Sequence, residues 1–246
     1  GGLRHGALAL HRVGTSSYGV MLVALAALAF ALPAALGSGG GYSPVQALVI
    51  GVLTVLLYAV FLWRQTGAQA DDFQEPGHRQ AAAGDRVPLR QTLSAHREEL
   101  LARSGLLIAT VLPIVLLSHH MADLVDDALA RLGAPVALGG VLIAMIVFTP
   151  ESLTAVRAAL SGQTQRVANL CHGALVSTFA LTIPTVLVIG LLTGTPVLLA
   201  ESPTNLLLLG VTLAVAASSA AAPRVTAIHG AVHLLLFAVY ALMLLS

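Results

Sequence analysis

One carboxylic acid stands inside a long apolar run, in Phe148-Thr149-Pro150-Glu151-Ser152. The other ten acidic residues fall outside such runs or at their ends. An ionisable group at hydrocarbon depth costs about 2.5–3.5 kcal/mol by insertion scales, and nothing structural asks for one here. Pro150 has no N–H and bends a helix, which frees a carbonyl near the carboxylate. Thr149 and Ser152 add two hydroxyls. Such a set of hard oxygens suits Ca²⁺ or Na⁺ better than a soft metal, with Glu151 as the metal-binding candidate. The competing reading is a protonated Glu151 bonded to a neighbouring helix, or one reaching toward water, since Arg157 lies six residues on.

Two further constellations could assist. Asn169, His172, Gly173 and Ser177 fall on one side of a helix by 100° steps, which makes Asn169 and Ser177 candidate cation ligands. Ordinary interhelical hydrogen bonding explains the same pattern. His229 and His233 are four apart, so they share a face and could relay protons; satisfied core histidines are the alternative. Catalytic chemistry has less support. There is no His-Glu-x-x-His and no Gly-x-Ser-x-Gly, and the single Cys171 offers no evident nucleophile. No enzymatic activity, catalytic residue or resident cofactor is expected.

The elements that must hold these groups follow from composition. Of 246 residues, 57% are hydrophobic and 9% charged. A soluble domain carries roughly 25% charged residues, so too little charge is present to cover a water-facing globule. About 20 apolar residues span a bilayer as a helix. Seven stretches qualify: 18–36, 43–64, 102–119, 136–156, 168–193, 204–222 and 226–245. They are continuous rather than alternating, so they are helices and not barrel strands. The expected fold class is an all-α polytopic transmembrane bundle of about seven spans.

The loops assign sides. If the spans alternate from residues 1–17, eleven of the twelve arginines fall on the first side and Arg131 alone on the other. Basic residues are retained in the cytoplasm, so the N-terminal end is inside and Ser246 outside. The net charge of +1 excludes a nucleic-acid partner; the bilayer is the partner. Residues 65–101 form a cytoplasmic linker between a two-helix piece (1–64) and a five-helix piece (102–246). Asp71 to Pro88 reads as flexible, and Ser94 to Arg103 as a short helix capped by Ser94. Residues 121–132 read either as an interfacial amphipathic helix or as the 102–119 span continued; Asp123, Asp126 and Asp127 could there form an acidic mouth. Nothing at Gly1-Gly2 reads as a signal peptide, and residues of the natural protein are expected ahead of it.

Certain motifs together resemble the bacterial calcium (sodium)/proton antiporters of the cation/calcium exchanger superfamily. They are Gly139-Gly140 through Thr149-Pro150-Glu151, then Arg157, Gln165-Arg166, Asn169, Gly173 and Leu181-Thr182-Ile183-Pro184. Gly230-Ala231-Val232-His233-Leu234 and Phe237 to Tyr240 match that branch's last helix. Gly1 to His5, Tyr42-Ser43-Pro44 and Gln65-Thr66 also fit, so the resemblance covers nearly the whole chain. It implies an inverted-repeat fold in which each repeat gives one carboxylate to a midplane site. Glu151 takes the second-repeat position, the first-repeat glutamate has no counterpart, and the chain looks like the C-terminal part of such a fold. Gly173-Ala174 and Ala222-Pro223-Arg224-Val225-Thr226 depart from the family pattern, which bears on ion preference and coupling rather than fold.

The resemblance implies secondary active exchange of cytoplasmic Ca²⁺ or Na⁺, as transported ions, for external protons across a bacterial plasma membrane. It also implies that the missing N-terminal repeat is needed for a complete site. A truncated, non-transporting membrane subunit is the alternative. Homo-oligomerisation is left open.

Overall fold

The computed structural model describes residues 6, 10–36, 39–67, 69–74, 97–135, 137–222 and 224–245. Its elements are α-helical: α1 Arg12–Ala35, α2 Pro44–Thr66, α3 Arg97–Leu132, α4 Ala137–Val147, α5 Thr149–Leu160, α6 Thr164–Thr193, α7 Pro203–Ala221 and α8 Ala227–Leu244. A 3₁₀ turn, Ala70–Phe73, follows α2. An antiparallel bridge pairs Gly41 with Leu198.

Five helices are long and apolar enough to cross a membrane: α1, α2, α6, α7 and α8. The bent pair α4 and α5 makes a sixth if counted as one span. The 102–119 stretch lies within α3, which continues unbroken to Leu132. Residues 121–132 are therefore the same helix carried on, not a separate interfacial one. The chain is a multi-pass membrane protein with an all-α fold.

Local chemistry sets the helix ends. Ser43 caps α2: its hydroxyl accepts from Gln46 N while Gln46 Oε1 accepts from Ser43 N, with Pro44 at the first position, where no N–H is needed. Ser202 caps α7 in the same way, accepting from Asn205 N. Gly162, at φ +77°, turns the chain from α5 into α6, and Gln163 N donates back to Ala158 O. That left-handed conformation suits glycine and closes α5's last turn.

Within α1, residues 27–31 widen into a π turn. Pro33, two residues on, lacks an N–H and crowds the preceding turn. Leu32 N donates to Ala27 O instead of Leu28 O, which leaves the Leu28 carbonyl without a helical donor. Tyr42 fills the gap: its hydroxyl donates to Leu28 O at 2.6 Å. Burial pushes the Tyr42 phenol pKa up, so it stays the neutral donor this bond requires.

The described residues belong to two compact units. One comprises Gly1–Arg79 and Pro150–Tyr240, the other Gln80–Thr149 and Ala241–Ser246. In the second, α3 and α4 pack together through Gly139, where an added Cβ would lie 3.2 Å from Leu129. In the first, α6 packs against α1 and α2, and α7 lies on α1. The helices ahead of the linker thus share a core with helices that follow it. Tyr18 and Phe30 of α1 meet His172 and Phe179 of α6 in that order, so α1 and α6 run the same way. Gly51 near the start of α2 meets Pro184 late in α6, so α2 runs opposite.

The core's centre is Tyr18, fully buried. Its ring stands edge-on to Phe61 at 5.3 Å and to Phe73 at 5.5 Å. Each such pair contributes about 0.5–1.5 kcal/mol beyond area burial. Its hydroxyl accepts from Gln65 Nε2 at 2.6 Å. Phe73 is itself buried at 7% exposure, so residues 71–73, expected to open a flexible stretch, are instead folded onto the core. Residues 75–96, Ser94 among them, lie outside the described residues.

Candidate functional site

The helical run from Ala137 breaks once, at Phe148, and α5 starts at Thr149. Pro150 therefore sits in the first turn of a new helix, where a missing N–H leaves no bond unmade. Glu151 follows in that turn, where the helix dipole favours negative charge. The neighbouring hydroxyls are partly committed. Thr149 Oγ1 donates to Met145 O at 2.6 Å, and Thr154 Oγ1 donates to Pro150 O at 2.8 Å. Thr149 and Ser152 are exposed, while Glu151 is half-buried. Donation uses up the Thr149 proton but leaves oxygen lone pairs that could face a cation.

The carboxylate itself is the unusual group. Glu151 Oε2 is buried and has no hydrogen-bond partner. A buried polar atom without a partner costs about 1–3 kcal/mol, more if charged. A proton or a cation bound there removes that cost. Among the described residues no three His, Cys, Asp or Glu side chains gather to hold a metal.

The α6 polar face serves different contacts. Asn169 Nδ2 donates to Phe73 O at 2.5 Å, and its Oδ1 accepts from Gln165 Nε2 at 3.0 Å. Ser177 Oγ donates to Ala174 O. Among the described residues neither shares a hydrogen bond with Glu151. His172 Nδ1 meets Ala168 O at 2.9 Å, and its ring stacks on Tyr18 at 6.1 Å. Gly173 faces the same ring rather than another backbone; an added Cβ would lie 3.6 Å from the Tyr18 oxygen.

The α8 histidines are bonded through their own helix. His229 Nδ1 accepts from Thr226 N at 3.1 Å, closing the first turn. His233 Nδ1 lies 2.7 Å from His229 O, an acceptor only, so Nδ1 carries the proton. His233 also lines a cavity of about 290 Å³ with Asn205, Thr212 and Tyr240.

Gln165 stands in the sequence only as part of the Gln165-Arg166 motif, with no contact assigned to it. It is fully buried, and its Oε1 accepts from His11 N at 2.8 Å. The available signal was its i,i+4 spacing to Asn169, which puts the two amides on one face.

Comparison with known proteins completes the picture. The model of the family described as sodium/calcium exchanger protein matches residues 104–246. Over 245 residues the chain is 32% identical to a Sinorhizobium fredii (strain NBRC 101917 / NGR234) protein described as ionic transporter y4hA, covering 99% of this chain and 65% of that one. Over 240 residues it is 29% identical to the sodium-potassium/proton antiporter ChaA of Escherichia coli (strain K12), covering 98% of this chain and 64% of that one. The chain thus spans slightly less than two thirds of either relative's length.

Proposed function

The chain belongs to the sodium/calcium exchanger family, and from that premise we propose that it serves secondary active antiport of cytoplasmic Na⁺ or Ca²⁺ against external protons. The observation that carries this is the buried, unbonded Glu151 Oε2 at a helix break inside an apolar run. Desolvation favours the protonated carboxyl, and a bound cation favours the ionised one. Arrival of either ligand therefore expels the other, and this competition couples the two fluxes. Thr149, Ser152 and the carbonyls beside Pro150 complete the oxygen shell. The likeness to ChaA, described as a sodium-potassium/proton antiporter, supports proton coupling and brings a monovalent cargo into view.

In this reading the cation is cargo, no resident cofactor takes part and no bond of a substrate is cleaved. Exchange of access between the two sides comes from helix groups moving about the site. The arginine distribution supports a cytoplasmic N-terminal end and linker in a bacterial plasma membrane.

The test is cation-dependent proton movement in inside-out vesicles holding the full-length protein. Glu151→Gln cannot ionise and should lower exchange at least tenfold for both Na⁺ and Ca²⁺. Glu151→Asp should retain part of it. Undiminished exchange in Glu151→Gln would remove this carboxyl from the transport site.

A further inference from the structure

A groove that Glu151 does not line runs between α1, α6 and α7 of the first unit, with a volume of about 610 Å³. Its polar residues gather at one end. Arg12, Thr15 and Ser16 line that end, and the α1 wall then continues through Gly19 to Ala24. Beyond Ser16 the one polar side chain lining it, among the described residues, is His172, whose Nδ1 is already bonded to Ala168 O. Small residues keep the groove open. An added Cβ at Gly19 would meet nothing within 4 Å, and α7 contributes Ala216, Ala217 and Ala220.

The polar end lies at headgroup depth. Tyr18 meets Phe61 and Gln65 of α2, so Trp63, 77% exposed, stands at about the level of Tyr18. Exposed tryptophan favours the membrane–water boundary. Arg12 precedes Tyr18 by about 9 Å of helix, on the water side. From Arg12 to Ala24 α1 rises about 18 Å, close to half of a bilayer that measures about 40–45 Å with its headgroups. The groove thus runs from the headgroups to the acyl chains of one leaflet.

Two cations come to its polar end. Arg12 is exposed and has no ion-pair partner among the described residues; Asp72 nearby meets His11 instead, at 4.0 Å. Thr15 Oγ1, one turn along, also lacks a partner. The Gly41–Leu198 bridge ties the loop after α1 to the loop before α7, so α7 starts where α1 ends and returns toward Arg12. It brings Arg224, three residues past its last residue Ala221, to the same end.

We propose that this groove is a site for one anionic phospholipid, with its phosphate at Arg12 and Arg224 and one acyl chain laid along α1 toward Ala24. Guanidinium groups suit phosphate oxygens, and basic pockets between transmembrane helices bind anionic headgroups. The far end offers an acyl chain only apolar contact. Under the cytoplasmic N-terminal end proposed above, the lipid comes from the inner leaflet, but the site itself does not depend on that orientation.

Native mass spectrometry of the full-length protein, titrated in detergent with dioleoylphosphatidylglycerol or dioleoylphosphatidylcholine, tests the site. One phosphatidylglycerol per chain should be held about fivefold or more tightly than phosphatidylcholine. Arg12→Gln and Arg224→Gln should each weaken it about fivefold, the effect of one basic residue near a headgroup. Arg12→Lys should keep most of the binding. Gly19→Leu fills open space and should displace the lipid with both charges in place. Arg64→Gln, on α2 and outside the groove, should change nothing, and glycerol phosphate, which has no acyl chain, should not compete. Equal retention of the two lipids would overturn the proposal, and is the result expected if a second copy or a further part of the full-length chain fills the groove. Full binding in Gly19→Leu or Arg12→Gln would overturn it too, and an equal loss in Arg64→Gln would reduce it to diffuse attraction. Glu151→Gln should hold the lipid unchanged, so a failure of the exchange site leaves this one standing.

Discussion

Gln165 shows how much one side chain can hold when water is absent. It is fully buried, its carbonyl accepts the His11 N–H and its amide donates to Asn169. Asn169 passes the connection on to Phe73 O. Leucine at position 165 would fill a similar volume and leave His11 N and Asn169 Oδ1 without those partners. Each buried orphan costs about 1–3 kcal/mol, so Gln165→Leu should lower stability by a few kcal/mol, while Gln165→Glu should lose less because Oε1 remains as acceptor. Unfolding by SDS titration in mixed micelles measures this, and equal stability of Gln165→Leu and the unsubstituted protein would refute it. Glu151 differs in kind. Its unbonded oxygen is a local cost that no described contact repays, and such a cost fits a group waiting for a ligand better than one holding a fold.

At the scale of elements, long apolar runs were legible and their interruptions were partly so. Pro150 announced a break near Glu151, and the break falls two residues earlier, at Phe148, because proline prefers a helix's first turn. Hydropathy alone started the first span at residue 18, but α1 begins at Arg12, since caps and polar turns extend a helix beyond its apolar part. The π turn over 27–31 had no sequence signal beyond Pro33. Its widened geometry and the Tyr42 bond to Leu28 O form a pair that substitution can separate. Tyr42→Phe leaves Leu28 O without its donor and should destabilise by about 1–3 kcal/mol. Pro33→Ala returns an N–H to the turn. The double variant Tyr42→Phe/Pro33→Ala should therefore be less destabilised than Tyr42→Phe, a coupling of about 0.5–3 kcal/mol in a double-mutant cycle. Strict additivity would show that the proline does not create Tyr42's task. Tertiary polar contacts such as Asn169 to Phe73 were not readable at all, because the partners lie 96 positions apart and nothing periodic links them.

For the whole molecule, charge placement is the strongest statement the sequence makes. Eleven of twelve arginines fall on one side if the seven apolar stretches alternate; five of the structure's helices are long and apolar enough to cross, or six with the bent pair, and α3 is not among them. The bent α4–α5 pair is the sensitive step, because it must cross once for the pattern to hold. If it instead entered and left on one face, every later loop would change sides, and Arg224 would part from Arg12 and Arg64. Thiol accessibility distinguishes the two. In a Cys171→Ser background, Asp85→Cys should be shielded from a membrane-impermeant maleimide in intact cells and react after permeabilisation. Ala200→Cys, in the loop between α6 and α7, should react in intact cells. Shielding of both positions would mean that the α4–α5 pair does not cross. Glu151 would then sit on a re-entrant turn, with access from one side only, and alternating exchange at that carboxyl would need a different geometry.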